Sequence, residues 1–183
     1  PDQDALTYAR WGVDVEKAMQ ALSAITLSIH CWQGDDVHGC EEIEVLGGQG
    51  VQTTGSYPGR ARNGDELRAD FEVAIGLVPG RHRFALHGNY AETGGKKVGR
   101  DRIGPEHFSR WIDWAKEIGI KLDFNQTFFN HPMAASGFTL SSPEEKVRRF
   151  WGEHAMRCRE IGQAMGRAQG SPCVVNLWIQ DGY

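Results

Sequence analysis

The sequence lacks a long apolar run and lacks any excess of basic charge. Its 183 residues include 20 Lys and Arg against 24 Asp and Glu, which gives a net charge of −4 near neutral pH. A membrane helix needs about 20 consecutive apolar residues, and nucleic-acid partners select basic surfaces. We therefore expect neither membrane insertion nor nucleic-acid binding. With 40% hydrophobic residues, the length suits one globular domain or a large part of one.

Cysteine is scarce, and its spacing is uninformative about metals. The four cysteines form no CxxC pair, which favours reduced thiols in or near a core over disulfides or zinc. No secretory signal is recognisable, so a cytoplasmic location is expected. The chain starts at Pro1 without methionine and stops at Tyr183 directly after a strand-like run. We expect both ends to be cut from a longer protein.

Glycine-rich nucleotide motifs are also missing. GGQG at residues 47–50 does not follow the first predicted strand as a GxGxxG fingerprint would. No GxxxxGK[ST] motif occurs anywhere in the chain. A nucleotide-binding fold is therefore disfavoured.

Helix and strand patterns alternate along the chain. Asn63 resembles an N-cap with an acidic residue, Glu66, three positions later. Predicted helices cover residues 4–22, 63–77, 105–118 and 142–169, and predicted strands cover residues 24–31, 83–86, 120–124 and 173–179. This order predicts an α/β fold with a parallel sheet covered by helices. The strands are nearly all apolar, which predicts burial on both faces.

Polar and aromatic residues follow the carboxyl end of every predicted strand. The four segments are HCWQGDD (30–36), HGNYAE (87–92), NQTFFNH (125–131) and WIQDG (178–182). Active sites lie at this face of a (β/α)8 barrel, and ligands bind at carboxyl ends in doubly wound sheets as well. Either architecture therefore predicts a pocket here.

Each candidate residue has a plainer alternative. A single histidine such as His30 or His87 is usually hydrogen-bonded in a core, although two of them at equivalent strand ends favour a site. Trp32 and Trp178 could be core residues, or their faces could pack on a sugar ring. Several others are expected to serve packing or turns: Trp111, Trp114, His154, Asp35, Asp36 and Asp181. No cluster has a persuasive metal-ligand spacing.

Several long motifs resemble those of the bacterial L-rhamnose isomerases. They are HCWQGDDV (30–37), QTTGSYPGRAR (52–62), DELRADFE (65–72), PEHFSRWIDWAKE (105–117), LDFN (122–125) and NLWIQDGY (176–183), with an LH..YAE pattern at 86–92 and HP..A.GFTLS at 131–141. The resemblance covers nearly the whole chain in order. It implies a (β/α)8 TIM barrel, of which this chain supplies about the first four strands. Residues 1–183 would then be the N-terminal half of one barrel domain with no internal boundary.

The resemblance also implies an activity. These enzymes interconvert L-rhamnose and L-rhamnulose, use a divalent metal, typically Mn²⁺, and generally form homotetramers. His87 is expected to assist ring opening or to hold a sugar hydroxyl, and Trp32, Phe129 and Trp178 are expected to bind the sugar. The metal ligands of the family come from later strands, so no metal ligand is assigned in this chain. The isolated fragment is therefore expected to be inactive.

Some positions depart from the family pattern. Proline usually stands where this chain has Gln126 and Gln180, and apolar or small residues usually stand near Asn89 and Phe128. These polar residues could add hydrogen bonds to a sugar, so a related isomerase acting on another sugar stays open. A half-barrel that binds a sugar or a partner without catalysis is the alternative outside enzymes.

Overall fold

The computed structural model describes residues 2–33, 39–41 and 59–182, without the side chains of Asp2 and Gln33. Its helices are α1 (Asp2–Ala9), α2 (Val15–Ser23), α3 (Gly64–Leu77), α4 (Ser109–Glu117) and α5 (Glu145–Ala168). Its strands are β1 (Thr26–His30), β2 (Arg81–His87), β3 (Lys121–Asn125) and β4 (Val175–Asn176). All pair in parallel, in the order β1-β2-β3-β4. The predicted α/β class and parallel sheet are therefore confirmed.

The two sides of the sheet differ in polarity because successive strand residues point to opposite faces. The helix-facing side is apolar and joins residues of α3, α4 and α5 in one core through Phe84, Leu86, Leu122 and Phe124. The opposite side includes Ser28, Arg83, His87, Asp123 and Asn125. The predicted burial on both faces holds for the ends of β2 and β3, where His87, Asp123 and Asn125 are buried, but the second face is largely polar.

Asp123 holds this polar face together. Its carboxylate accepts hydrogen bonds from Arg83 Nε and Nη2 (2.9 and 2.8 Å), Ser28 Oγ (2.7 Å) and the Val174 amide (2.8 Å). Burial alone would raise the pKa of Asp123, but the hydrogen bonds from Arg83 and Ser28 bring it below the ordinary value. One carboxylate therefore ties three strands to the residue preceding the fourth.

The N-terminal segment departs from the single predicted helix over residues 4–22. Gly12 takes a left-handed φ of +75°, and Asp14 caps a second helix by accepting a hydrogen bond from the Lys17 amide. No residue of α2 is buried. Large apolar side chains along this segment are exposed, at Leu6, Trp11, Met19 and Leu22.

Other boundaries were shifted by a few residues. The fourth strand is far shorter than residues 173–179, since only Val175 and Asn176 pair with β3. A 3-10 turn over Pro105–Phe108 precedes α4, and Asn63 caps α3 as predicted, accepting from the Glu66 amide at 2.9 Å. All four cysteines are free thiols. No helix among the described residues is long and apolar enough to span a membrane.

Candidate functional site

Four rings line up across the carboxyl edge of the sheet, one at or just after the end of each strand. Trp32 and His87 have centroids 4.9 Å apart, His87 and Phe129 6.0 Å, and Phe129 and Trp178 5.7 Å. We call these four residues the aromatic wall. Each pair meets edge to face, with ring planes 63° to 73° apart. The structure therefore brings together all four residues predicted to bind the sugar.

His87 lies in the middle of the aromatic wall and is fully buried. Neither ring nitrogen has a hydrogen-bond partner among the residues that the structure describes. Burial, with smaller effects from His30 and Arg100, lowers the pKa of His87 to about 3. The imidazole is therefore neutral at pH 7, with one nitrogen able to donate a hydrogen bond and the other able to accept one. An unpaired buried ring of this kind costs stability unless a ligand completes it.

His30 extends the site toward the start of the sheet. Its ring stacks on Trp32 with centroids 4.6 Å apart and meets His87 edge to face at 6.1 Å. Burial lowers the pKa of His30 below its ordinary value. Its Nδ1 also has no partner in the described part of the chain. Two neighbouring neutral imidazoles are suited to binding hydroxyl groups, each of which donates and accepts a hydrogen bond.

The loop after β3 places Phe129 in the wall through an unusual backbone. Thr127 and Asn130 both take left-handed φ values, 59° and 50°. Such conformations persist only where the surroundings fix them. Here the surroundings include the Arg100 guanidinium, which donates to the backbone carbonyls of Thr127 (2.9 Å), Phe129 (2.5 Å) and Asn130 (2.9 Å).

Arg100 is itself almost completely buried and held by a carboxylate. Its Nε lies 2.8 Å from Glu41 Oε1, and its Nη2 lies 2.7 Å from Glu41 Oε2. Glu41 and the three carbonyls together accept hydrogen bonds from all the N–H groups of the guanidinium. A buried guanidinium needs such partners to offset its loss of water. Sequence analysis missed Arg100, because no local pattern distinguishes it from the neighbouring Arg102, which is exposed.

His154 supports the same loop from α5. Its Nδ1 lies 2.9 Å from the Arg100 carbonyl, and its Nε2 contacts the Gln126 carbonyl. Burial lowers its pKa, and the two carbonyl contacts oppose that effect. The predicted structural role of His154 agrees with these contacts. Trp111 is likewise buried in the core, with its indole nitrogen donating to the Tyr90 carbonyl at 3.0 Å.

The residues that depart from the family pattern have different surroundings. Asn89 and Gln126 are buried, and Gln126 Oε1 lacks a partner within the described ranges. Phe128 points away from the wall and stacks on Trp151 at 5.1 Å in a second apolar cluster. Gln180 is half-buried.

Asp181 proves to be a loop anchor. Its carboxylate accepts hydrogen bonds from the amides and hydroxyls of Thr139 and Ser141, at 2.5 to 2.9 Å. These bonds bring its pKa below the ordinary value although burial acts to raise it. The carboxylate is fully used within the protein, but the residues around Asp181 form no turn, so the predicted turn role is wrong and a contact with a distant loop replaces it.

Residues suited to a metal ion do not cluster in the described part of the chain. No group of three or more His, Cys, Asp or Glu side chains converges there. Asp35 and Asp36, together with the Gln33 side chain, lie outside the described residues. The described residues do not provide a fit for a divalent metal, so we derive no step through one.

A cavity of about 560 Å³ opens beside the loop that follows β2. It is bounded by the start of α3 at Asn63, by Glu92 and by Arg100, and its lining includes none of the aromatic wall. An ion-pair network of Arg68, Glu92, Arg110 and Asp65 stands at its edge. The cavity and the aromatic wall are therefore separate features on either side of the Arg100 contacts.

Comparison with known proteins identifies the family. The sequence matches the family described as RhaA: L-rhamnose isomerase over residues 2–183. The chain belongs to the L-rhamnose isomerase family. It is 50% identical over 176 residues to the L-rhamnose isomerase of Rhodopirellula baltica, 52% over 176 residues to that of Bacteroides thetaiotaomicron and 51% over 175 residues to that of Pectobacterium carotovorum.

The chain spans about two fifths of the length of these L-rhamnose isomerases. Each alignment covers 96% of the chain but only 41% or 42% of the relative. The resemblance inferred from the motifs is therefore confirmed, and the aromatic wall belongs to the part that the chain shares with its relatives.

Proposed function

We propose that this chain is the N-terminal part of an isomerase that interconverts L-rhamnose and L-rhamnulose. The observation that carries this proposal is the aromatic wall, in which a neutral His87 without a hydrogen-bond partner among the described residues lies between the rings of Trp32 and Phe129. Sugars present hydroxyls at their edges and C–H groups on their faces, and this arrangement suits both.

His87 has a specific part in this proposal. One nitrogen accepts a hydrogen bond from the anomeric hydroxyl, and the other, which points to the opposite side of the imidazole, donates to a second acceptor. A base with a pKa of about 3 is weak at pH 7, and an ideal general base has a pKa near the operating pH. His87 therefore acts chiefly by orienting the sugar for ring opening. Trp32, Phe129 and Trp178 contact the apolar face, including the 6-methyl group.

The architecture proposed for the complete protein is a (β/α)8 barrel, with residues 1–183 as its N-terminal half and no internal boundary. The exposure of edge-strand residues supports it. Leu27 of β1 is 38% exposed and Val174 beside β4 is 63% exposed, whereas Phe84 and Phe124 in the central strands are at most 1% exposed. Further strands pairing at both edges would cover them and complete a barrel.

The remaining parts of the proposal come from the family resemblance. Mn²⁺ would act as a Lewis acid on the opened sugar, with ligands supplied by strands C-terminal to this chain. A homotetramer in the cytoplasm, acting in rhamnose catabolism, completes the proposal. The isolated chain is proposed to be inactive, since the described residues hold no ligand set for the metal.

An isomerisation assay tests the function. The complete protein, meaning the full product of the gene that encodes this chain, is supplied with Mn²⁺ and with L-rhamnose, L-mannose, L-lyxose or D-allose. The proposal expects the highest kcat/KM with L-rhamnose. Rapid turnover of another sugar with none of L-rhamnose would reassign the substrate.

The reading frame after Tyr183 separates an enzyme from a binding half-barrel. An open frame that encodes four further strands with Glu, Asp and His ligands supports the isomerase. A stop codon directly after Tyr183, together with sugar binding but no turnover, would support the binding role instead.

A further inference from the structure

We propose that Asn125 is a further sugar-binding residue, which donates a hydrogen bond from its side-chain amide to one hydroxyl of the sugar held by the aromatic wall. This inference rests on the proposed function, because it names an additional contact in the same site. Asn125 ends β3 and is 1% exposed.

The orientation of the Asn125 amide is fixed by its own backbone neighbourhood. The Thr127 amide donates to Asn125 Oδ1 at 3.0 Å. An N–H donor can meet only the oxygen of a carboxamide, so the two ends of the side chain are assigned without ambiguity. The NH₂ group must therefore point away from Thr127, and it cannot exchange places with the oxygen without losing that bond.

The NH₂ group is buried and unused. Asn125 Nδ2 has no hydrogen-bond partner among residues 2–33, 39–41 and 59–182. Buried side-chain donors are nearly always paired, and an unpaired one carries its full desolvation cost. The loop that fixes Asn125 Oδ1 therefore leaves the NH₂ group in a fixed position without an acceptor among the described residues. A ligand hydroxyl could supply that acceptor.

The strand register places this donor beside His87. Asn125 pairs directly with His87 across the parallel β2–β3 ladder. Paired residues of neighbouring strands project from the same face of a sheet, about 4.8 Å apart. The amide and the imidazole thus lie side by side at the carboxyl edge, and both have unpaired polar atoms. A hydroxylated ring resting against the wall presents adjacent hydroxyls to these two residues.

The test combines Asn125 variants with sugar analogues in the complete protein. Asn125→Leu keeps the shape of the side chain and removes both hydrogen-bonding ends, and Asn125→Ala provides a second variant in case Leu does not fold. Inhibition constants are measured for L-rhamnitol and for analogues that each lack one hydroxyl. Wild type should bind one analogue about 10-fold more weakly than L-rhamnitol. In both variants, the inhibition constant of L-rhamnitol should rise by a similar factor. The difference in affinity between L-rhamnitol and that one analogue should then disappear.

A matched control separates binding from folding. Asn63→Ala also removes an asparagine oxygen that accepts a backbone amide, but it does so at the start of α3, away from the wall. This variant should lower the melting temperature and leave the affinity of each analogue relative to L-rhamnitol unchanged. If the Asn125 variants raise the inhibition constants of L-rhamnitol and of every analogue by the same factor, Asn125 has only a structural role and the inference is wrong. Wild-type protein that neither turns over L-rhamnose nor binds L-rhamnitol would instead defeat the proposed function.

Discussion

The indole of Trp32 meets the imidazole of His87 edge to face, with ring centroids 4.9 Å apart and planes at 72°. The contact joins the ends of β1 and β2, and it covers one side of a histidine whose nitrogens have no partner in the described residues. Because aromatic edges contribute attraction without hydrogen bonds, the contact fixes the ring and leaves both nitrogens for a ligand. The His87 ring is thus held in place, with two nitrogens that can hydrogen-bond to a ligand.

Removing the outer indole of the wall should weaken sugar binding. Trp178 is 39% exposed and contacts Phe129 from the end of β4. Trp178→Ala should raise the KM for L-rhamnose about 10-fold, because a stacked aromatic contact contributes about 1 kcal/mol or more, and should change kcat less. Steady-state kinetics of the complete protein measures this. Trp11→Ala, which removes a 73% exposed indole far along the chain from the wall, is the control and should leave KM within about two-fold.

Loss of the Arg100 guanidinium should destabilise the protein strongly. Arg100→Ala leaves Glu41 and three loop carbonyls without their donor, and breaking a buried ion pair costs about 3 to 5 kcal/mol. Denaturant unfolding measures the change. Arg62→Ala, which breaks the solvent-exposed pair with Glu66, should lower the unfolding free energy far less, because water screens an exposed pair. Equal losses in the two variants would contradict the role given to Arg100.

Acid should destabilise the folded protein through His87. Its folded pKa of about 3 lies below the ordinary value of 6.5, so between these values the unfolded state binds a proton that the folded state refuses. Stability is therefore highest above pH 6.5 and falls as the pH decreases. The loss from this group is about 2 kcal/mol between pH 7 and pH 5. His87→Phe should show a shallower pH dependence of its unfolding free energy, and parallel curves would show that His87 is not buried as a neutral ring.

The sequence was sufficient for the alternation of strands and helices from β1 onward and for the edge at which the candidate site lies. Polar and aromatic residues after each strand pointed to the carboxyl edge, since the ends of parallel strands meet there. Asn63 was recognised as a cap because an N-cap is a local property of a few residues. His87, Trp32 and Trp178 were candidates because they lie at strand ends, and the family resemblance added Phe129. Their meeting across the sheet follows from strand order.

Long-range pairing could not be predicted from local patterns. Arg100 and Asn125 gain their roles from the loop after β3 and from strand register, which depend on residues far apart in the chain. The length of β4 depends on how many of its residues pair with β3. An apolar run in the sequence does not specify that number. The break at Gly12 was missed because apolar spacing continued across it.

The most direct test of the account is the kcat/KM for L-rhamnose of the complete protein with His87 changed. His87→Phe keeps a ring in the wall and removes both nitrogens, whereas His82→Phe changes a histidine near the other end of β2. Because His87 orients the sugar, the account predicts a loss of about 100-fold for His87→Phe, with bound metal unchanged, and a loss below about two-fold for His82→Phe. Unchanged turnover in His87→Phe would contradict the role of His87 in the site.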